Sequence, residues 1–459
     1  MSESKLSLEE IGEKQLNLIE KSKIFISEGN EKKRNLVEDP NFFLTCWSET
    51  IGNLKLKKFL NEKINFFFKM KIFLKEFYLQ VKISKVEVIE NLNPKIKFKN
   101  LVITYCLDGD FDSNGDYHDR YFSMSSSKNL NTLWILILND EKVKIPNKID
   151  ANLLILKRNY RPHLISIILM LKLILILLWK SKLIFISREF LNMTSKSYFD
   201  NIMNKEILDL INKNQIQQVL MPYEGHPQQH RVFNSVKQLD KKIKTIGYMH
   251  TVLPCLPTDY IRREGFPEKI LVNGQNQKKI LNNYLGWDNS QVEAITSLRY
   301  TEQNKKNFQK QIFFPYYIKN EKKIFKYFKN LILNSKPGYL PNLKVRNHPA
   351  MKYSKKHLNL KYLVETFLEK NKNRFLNNEL NQNISIFIGS TASVIEALER
   401  GINAIHICEN TIFDLYHTQL WESILVNEVT TNVFSYKLKE FGKCITIGKN
   451  NISFDNLTL

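Results

Sequence analysis

The sequence predicts an α/β fold: two Rossmann-like units facing across a cleft, preceded by a mostly helical N-terminal extension. Three observations predict it. From about Leu101 onward, short apolar runs alternate with longer amphipathic segments, the pattern of parallel strands joined by covering helices. A polar, lysine-rich stretch, 301–311, interrupts the alternation, which then restarts. The chain has 459 residues, 43% of them hydrophobic, enough for two or three units with sizeable cores and too apolar for global disorder. The expected units are 1–95, the helical region, then 96–300 and 301–459.

The N-terminal stretch begins acidic and helical in pattern, without the basic then apolar layout of a signal peptide. Segment 54–77 interleaves seven lysines, Lys55 to Lys75, with Leu56, Leu60, Ile64, Phe67, Leu74 and Phe77. This is a basic amphipathic helix, either a domain helix with a lysine-rich outer face or one that lies on anionic lipid. In the first unit, strands are expected at 101–106, 133–138, 153–156, 217–222, 244–249, 269–272 and 292–295. Helices are expected at 197–212, 226–239 and 275–285, the last ended by Gly286. Segment 164–179 is apolar except for Lys172, shorter than the roughly 20 residues of a membrane span. It reads as a buried helix followed by a strand at 183–187. After 301–311, strands are expected at 312–317, 343–346, 384–388 and 404–407, and helices at 321–335, 355–370 and 392–400.

The formal net charge is +22. Such a balance suits anionic partners: nucleotide donors, acidic glycans, a lipid surface or nucleic acid. The last is disfavoured, because the lysines are dispersed and there is no zinc finger, RNP-like motif or helix-turn-helix. The five cysteines, Cys46, Cys106, Cys255, Cys408 and Cys444, are far apart and form no CxxC pair. That argues for reduced thiols in a cytosol and against a disulfide framework or zinc site.

Three clusters fall at expected strand ends, where open parallel sheets bind ligands. The first is Met221-Pro222-Tyr223-Glu224-Gly225-His226-Pro227. Glu224 directly follows an apolar strand, and Gly225 permits a sharp turn into the next helix. A carboxylate there can act as general base on a hydroxyl. The second is Gly247-Tyr248-Met249-His250-Thr251, where His250 would polarise an acceptor, orient Glu224 or touch a donor. The third is a pair of motifs. One is Arg346-Asn347-His348-Pro349, with His348 donating to a phosphate oxygen and Pro349 fixing the loop. The other is Gly389-Ser390-Thr391-Ala392-Ser393, whose hydroxyls and amides suit an anion. Glu396, further along that helix, could reach a ribose, and Arg299, at the junction of the units, could reach the cleft.

The order Glu-Gly, His-Pro, Ser-Thr resembles bacterial sialyltransferases and polysialyltransferases, which carry an acidic-acidic-glycine motif, an HP motif and a serine-rich motif on a GT-B fold. The run from Glu224 through Tyr300, with GYMHT, KILVNG and TSLRY, looks still more like surface-carbohydrate (capsule and lipopolysaccharide) biosynthesis proteins of the same broad group. CDP-glycerol glycerophosphotransferases of teichoic-acid synthesis and capsule Kdo transferases are more distant by this pattern. The resemblance covers roughly 200–410. It implies that 96–300 holds the acceptor and 301–459 the nucleotide donor. It implies Glu224 as the base, His348 on the nucleotide phosphate and Ser390 and Thr391 as the serine motif. One position departs: Tyr223 stands where sialyltransferases carry their first acid, which weakens sialic acid as the donor sugar and CMP with it.

The expected function is therefore a metal-independent, inverting GT-B-type glycosyltransferase of bacterial surface polysaccharide assembly. Its co-substrate is a nucleotide-sugar, CMP- or CDP-linked before others, with no further cofactor, and its acceptor is a glycan or a lipid-linked glycan. The expected location is the cytoplasm, with peripheral contact at the inner face of the membrane. The alternatives are a CDP-linked polyol-phosphate transferase, a sugar-nucleotide epimerase and a non-catalytic assembly scaffold. The acidic loop 108–116 contains DxD and the start of an EF-hand pattern, but Tyr121 stands where a bidentate glutamate belongs. It reads as a loop at the cleft mouth, near the acceptor.

Overall fold

The computed structural model describes residues 6–31, 85–93, 95–128, 131–138, 143–149, 152–159, 168, 195–263, 265–302, 308–348, 351, 353–375 and 383–448. The basic segment 54–77, the apolar segment 164–179 and the strand expected at 183–187 lie outside them. The polar stretch 301–311 is described except for 303–307.

The described chain runs α1 (Leu8–Glu31), β1 (Lys85–Asn91), β2 (Asn100–Cys106), β3 (His118–Asp119), β4 (Met124–Ser125), β5 (Thr132–Leu138), β6 (Leu153–Asn159) and α2 (Ser195–Lys213). It continues β7 (Gln218–Pro222), α3 (Pro227–Leu239), β8 (Lys244–Tyr248), β9 (Lys269–Val272), α4 (Gln275–Tyr284) and β10 (Val292–Ala294). Then come β11 (Gln311–Phe313), α5 (Glu321–Asn334), β12 (Lys344–Arg346), α6 (Lys355–Lys370), β13 (Ile384–Ile388), α7 (Ser393–Glu399) and β14 (Asn403–Ile407). Last are α8 (Thr411–Asp414), β15 (Ile424–Thr430) and β16 (Val433–Leu438).

The first sheet has the order β1-β6-β5-β2-β7-β8-β9-β10. Every pairing in it is parallel except β1 with β6. From β2 the chain winds outward through β5 and β6, then returns to β7 on the other side of β2 and winds away through β8, β9 and β10. The reversal between β2 and β7 is a topological switch point, and a crevice opens at the carboxyl ends of those strands. The second sheet repeats the device. Its order is β12-β11-β13-β14-β16-β15, parallel from β12 to β14, and the winding reverses between β11 and β13.

Strand periodicity explains the layering. Leu101 and Ile103 of β2 enter one core, which also takes Ile11 and Ile19 of α1. Val102 and Cys106 enter another, under the hairpin residues Tyr117, Phe122 and Met124. In the second sheet Ile386 and Ile388 meet α5 and α6 through Phe328, Leu331, Leu360 and Val364. Phe387 on the opposite face joins the core that also holds Leu101 and Ile103. That core therefore runs from one sheet to the other.

Three strap-like contacts reinforce this join. Buried Gln15 of α1 donates to the Ile412 and Leu415 carbonyls at 2.9 Å each. The Thr446 N–H donates to the Asn273 carbonyl, and Ser297 N–H to the Thr446 carbonyl. Glu399 of α7 accepts the N–H groups of Gly442, Cys444 and Ile445.

Some expectations need correction. Within 1–95, α1 is helical, but β1 is a strand that extends the first sheet, so that sheet begins before residue 96. Its sequence, Lys85-Val-Glu-Val-Ile-Glu-Asn, alternates polar and apolar, as an edge strand should. The strand expected at 312–317 stops at Phe313, since Pro315 cannot donate to the ladder. The antiparallel hairpin β15–β16 went unforeseen. Cys106, Cys255, Cys408 and Cys444 are buried free thiols, while Cys46 lies outside the described residues. Among the described residues no helix is long and apolar enough to cross a membrane.

Candidate functional site

Glu224 stands at the first switch point and Ser390, Thr391 and Ser393 at the second, while His250, Arg299 and His348 follow the strands β8, β10 and β12. In the first sheet, β7 ends at Pro222 and the chain must turn at once into α3. Gly225 makes the turn in the left-handed region, at φ +72°, and a Cβ there would lie 2.8 Å from the Asp259 carbonyl oxygen. Buried Gln229, one turn into α3, clamps the loop. Its Oε1 accepts the N–H groups of Glu224 and His226, each at 3.0 Å, and its Nε2 donates to the Pro222 carbonyl at 2.6 Å. His226 and Gln229 form a reciprocal capping box on α3.

The clamp presents Glu224 between two imidazoles. His226 Nε2 is 2.9 Å from Oε2, and His250 Nε2, from the end of β8, is 3.3 Å from Oε1. The Glu224 side chain remains 38% exposed and His226 34%, whereas His250 is 5% exposed. The carboxylate is thus held from below and open from above. Burial works to raise its pKa, but the hydrogen bonds and charges of His226 and His250 outweigh that and hold the carboxyl well below the ordinary range. For His250, burial dominates and pushes the pKa down, against the pull of Glu224. His250 Nδ1 is buried and has no hydrogen-bond partner among the described residues.

The acidic loop closes one side. Its carboxylates are committed internally. Asp119 is fully buried and accepts from the Thr104 hydroxyl, the Tyr117 hydroxyl and the N–H groups of Tyr121 and Phe122. Asp110 pairs with Arg120 and accepts the Leu107 N–H, and Asp116 takes the hydroxyls of Ser125, Ser126 and Ser127. This wiring places the Tyr121 ring edge-on to His250, centroids 4.6 Å apart. The loop therefore stands beside Glu224, where a cleft-mouth loop is expected. Arg299 is half-buried, lies near enough to Tyr121 and His250 to perturb both, and rests 5.9 Å from the Tyr300 ring. Tyr223 points the other way: fully buried, its hydroxyl meets His230 Nε2 at 2.9 Å. Position 223 thus faces the core.

In the second sheet three loops converge at the switch point. His348 follows β12, and its ring lies edge-on to Tyr316, which follows β11, at 5.3 Å. Gly389 to Ser393 follow β13, with Gly389 at φ +59° and packed on Pro315. Ser390, Thr391 and Ser393 are half-exposed, and the Thr391 hydroxyl accepts the Ser393 N–H at 3.3 Å. Arg346 is exposed, 5.4 Å above the Phe313 ring, with Gln311 Oε1 at 3.5 Å. Glu396 is buried and pairs with Arg400 at 3.3 Å, while the Arg400 guanidinium also reaches the Thr301 carbonyl. Pro349 lies outside the described residues.

The structure thus groups Glu224 and His250, with Arg299 alongside; in the second sheet His348 meets Tyr316 and Gly389 meets Pro315, so the loops after β12 and β13 each pack on the loop after β11. The roles of His226, Gln229 and Tyr121 escaped the sequence reading. The first two carry a local signal, a helix-capping pattern at 226 to 229. Tyr121 meets His250 across 129 positions of sequence, which no local pattern reveals.

Compared with known proteins by sequence, the chain matches no family and no curated protein. Among solved structures it is similar to a glycosyltransferase from Rickettsia africae ESF-5, with 13% identity and a TM-score of 0.33, covering 70% of this chain and 87% of the other. It is also similar to a variant of the wall teichoic acid polymerase TagF, with 10% identity and a TM-score of 0.28, covering 74% and 78%. Similarity at this level assigns the chain to no family.

Proposed function

We propose that the chain is a glycosyltransferase that moves a sugar from a nucleotide-activated donor to a glycan or glycolipid acceptor. One observation carries the reading. A carboxylate held by two imidazoles stands at the switch point of one parallel sheet, and a hydroxyl-bearing loop stands at the switch point of the other, with a histidine just after its edge strand β12. The first set offers a carboxylate that stays ionised, positioned to accept the hydrogen bond and then the proton of a hydroxyl. The second suits a leaving group that gains negative charge.

In this reaction Glu224 takes the acceptor's hydroxyl proton as that oxygen bonds to the anomeric carbon. The bond from that carbon to the donor's phosphate oxygen breaks, and its electron pair leaves with the phosphate. His348, Ser390 and Thr391 stabilise the departing charge in place of a metal, with Ser393 and Arg346 beside them. His250 and His226 orient the base, and Arg299 adds positive charge beside His250 and Tyr121. Glu396, paired with Arg400, supports the donor loop from its helix. A single displacement inverts the anomeric centre. The motif resemblance puts CMP- and CDP-linked donors first and places the reaction in surface polysaccharide assembly on the cytoplasmic side of the membrane.

Thermal shift against CMP, CDP, UDP and GDP tests the reading. At least one should stabilise the protein, by about 2.7 kcal/mol at a hundredfold excess over Kd. His348→Ala should remove that shift and Glu224→Gln should keep it. A chain that responds to none of the four nucleotides is not a transferase of this kind. Turnover of a nucleotide-sugar without acceptor would point to an epimerase instead.

A further inference from the structure

Half of the chain's net charge is concentrated in one helix pair of the second sheet. Residues 321–374, which hold α5, β12 and α6, carry fourteen lysines and arginines against three glutamates. That is a net +11 in 54 of the 459 residues, where the whole chain has +22. α5 and α6 cover the same sheet face, the one that carries Ile312, Ile386 and Ile388. They lie side by side, with Phe367 of α6 against the Phe325 and Phe328 rings of α5. Each helix bridges parallel strands, so each begins at the carboxyl end of its strand, beside the loops that carry Tyr316 and His348.

Helical spacing sorts the side chains. Ile324, Phe328 and Leu331 of α5, and Leu360, Val364 and Leu368 of α6, are buried toward the sheet. Lys322, Lys326 and Lys355 are exposed on the other side. The three glutamates are matched locally: Glu321 is 3.5 Å from Asn359 Nδ2, Glu365 is 3.7 Å from Lys361, and Glu369 pairs with Lys372. Glu365 and Glu369 also sit in the last two turns of α6, away from the crevice. Among the described residues Lys322, Lys326 and Lys355 have no acidic partner. Beside these lysines stand two apolar side chains turned outward. Leu358 and Tyr362, one turn apart on α6, are 48% and 68% exposed.

We propose that the outer face of α5 and α6 docks this protein on an anionic lipid surface. Charge complementarity selects an anionic partner, and the apolar pair selects lipid. At a bilayer interface Leu358 and Tyr362 are buried among acyl chains and headgroups. The lysine stems lie along the same boundary and keep their ammonium groups among the headgroup phosphates. A nucleic acid or an acidic glycan would satisfy the lysines and Tyr362 but offer nothing to Leu358. Because both helices start beside the crevice loops, docking on this face keeps the crevice near the lipid plane. The proposal goes beyond the transferase reading and does not depend on it, since lipid binding is read without nucleotide or sugar.

The test is flotation of the full chain with vesicles of phosphatidylcholine, alone or mixed equally with phosphatidylglycerol. Wild type should float with the mixed vesicles, stay behind with the neutral ones and lose binding as salt rises. Lys322→Glu/Lys326→Glu/Lys355→Glu should weaken binding by at least about tenfold. Lys205→Glu/Lys241→Glu/Lys242→Glu, an equal change of charge at exposed positions of the first unit, should shift it by less than about twofold. Leu358→Ser/Tyr362→Ser should weaken it by about threefold or more with the charge unchanged. Urea unfolding checks that each variant folds, and alanine at Lys322, Lys326 and Lys355 replaces the charge reversal if that variant does not. Wild type that fails to bind the mixed vesicles overturns the proposal. So does unchanged binding in either α5–α6 variant, or an equal loss in the first-unit variant. Wild type that binds heparin or duplex DNA but no vesicle would assign the face to a soluble polyanion and overturn it as well.

Discussion

The two switch points use the same topology and arm it in different ways. At the first, the candidate group is a side chain. Glu224 is clamped through its backbone by Gln229 and through its carboxylate by His226 and His250. At the second, the candidate groups are hydroxyls of a loop held through its backbone, with His406 and Tyr416 on the Gly389 and Thr391 carbonyls from beneath. The difference follows from the chemistry each would serve. A base must place one lone pair accurately, so its side chain is fixed. A phosphate presents several oxygens to several donors, so the backbone itself is shaped.

The sharpest way to break the comparison is at Glu224. Glu224→Gln keeps the size of the side chain and removes the charge. It should lower turnover by about 100- to 10,000-fold, the range of a lost general base, with nucleotide affinity unchanged. Near-normal kcat in that variant would move the base elsewhere, and His226 would be the next residue to change. A smaller effect is expected at the clamp. Gln229→Leu leaves two N–H groups and one carbonyl of the turn without their partner, at a cost of about 3 kcal/mol in chemical denaturation.

The most gradual effect is a pH slope. Burial pushes the His406 pKa down to about 4 from an ordinary 6.5. As pH falls through 6.5 the unfolded chain takes up this proton first, while the folded ring stays neutral. Stability from this group is therefore full above 6.5 and declines down to about 4, at no more than about 1.4 kcal/mol per pH unit. The groups beside the ring, Tyr436 and Cys408, have their pKa values pushed upward by burial and stay neutral through that window. Glu224 has the same sign, its contribution being lost on acidification, whereas Asp110, Asp119 and Glu399, raised by burial, oppose it. The difference between wild type and His406→Gln isolates the histidine. Equal urea midpoints at every pH from 7 to 4 would mean that its proton is not excluded by folding.

The sequence determined the local elements where periodicity and turn chemistry agree. The helix at 355–370 and the strands at 269–272 and 384–388 appear with the bounds their patterns predict. It also determined that Glu224, His250 and Ser390 sit at strand ends, because a polar residue soon after a buried apolar run has nowhere else to go; His348 follows the exposed strand β12. It did not reveal β1, whose alternating pattern is separated by more than sixty positions from its partner β6. Nor did it reveal the β15–β16 hairpin, where Asn432 takes positive φ at the turn.

Tertiary structure alone decided which strand ends share a crevice. Strand order is set by how helices cover both faces of a sheet, and that order brings the β2 loop to the β7 loop, and the β11 loop to the β13 loop. It alone gave Glu224 its two imidazoles, turned Tyr223 into the core and committed Glu396 to Arg400. Each of these depends on the direction of a side chain from a fixed backbone, a property of packed neighbours that are distant in sequence or of the face a helix presents. The residue types were written in the chain, and their protonation, orientation and company came from the fold.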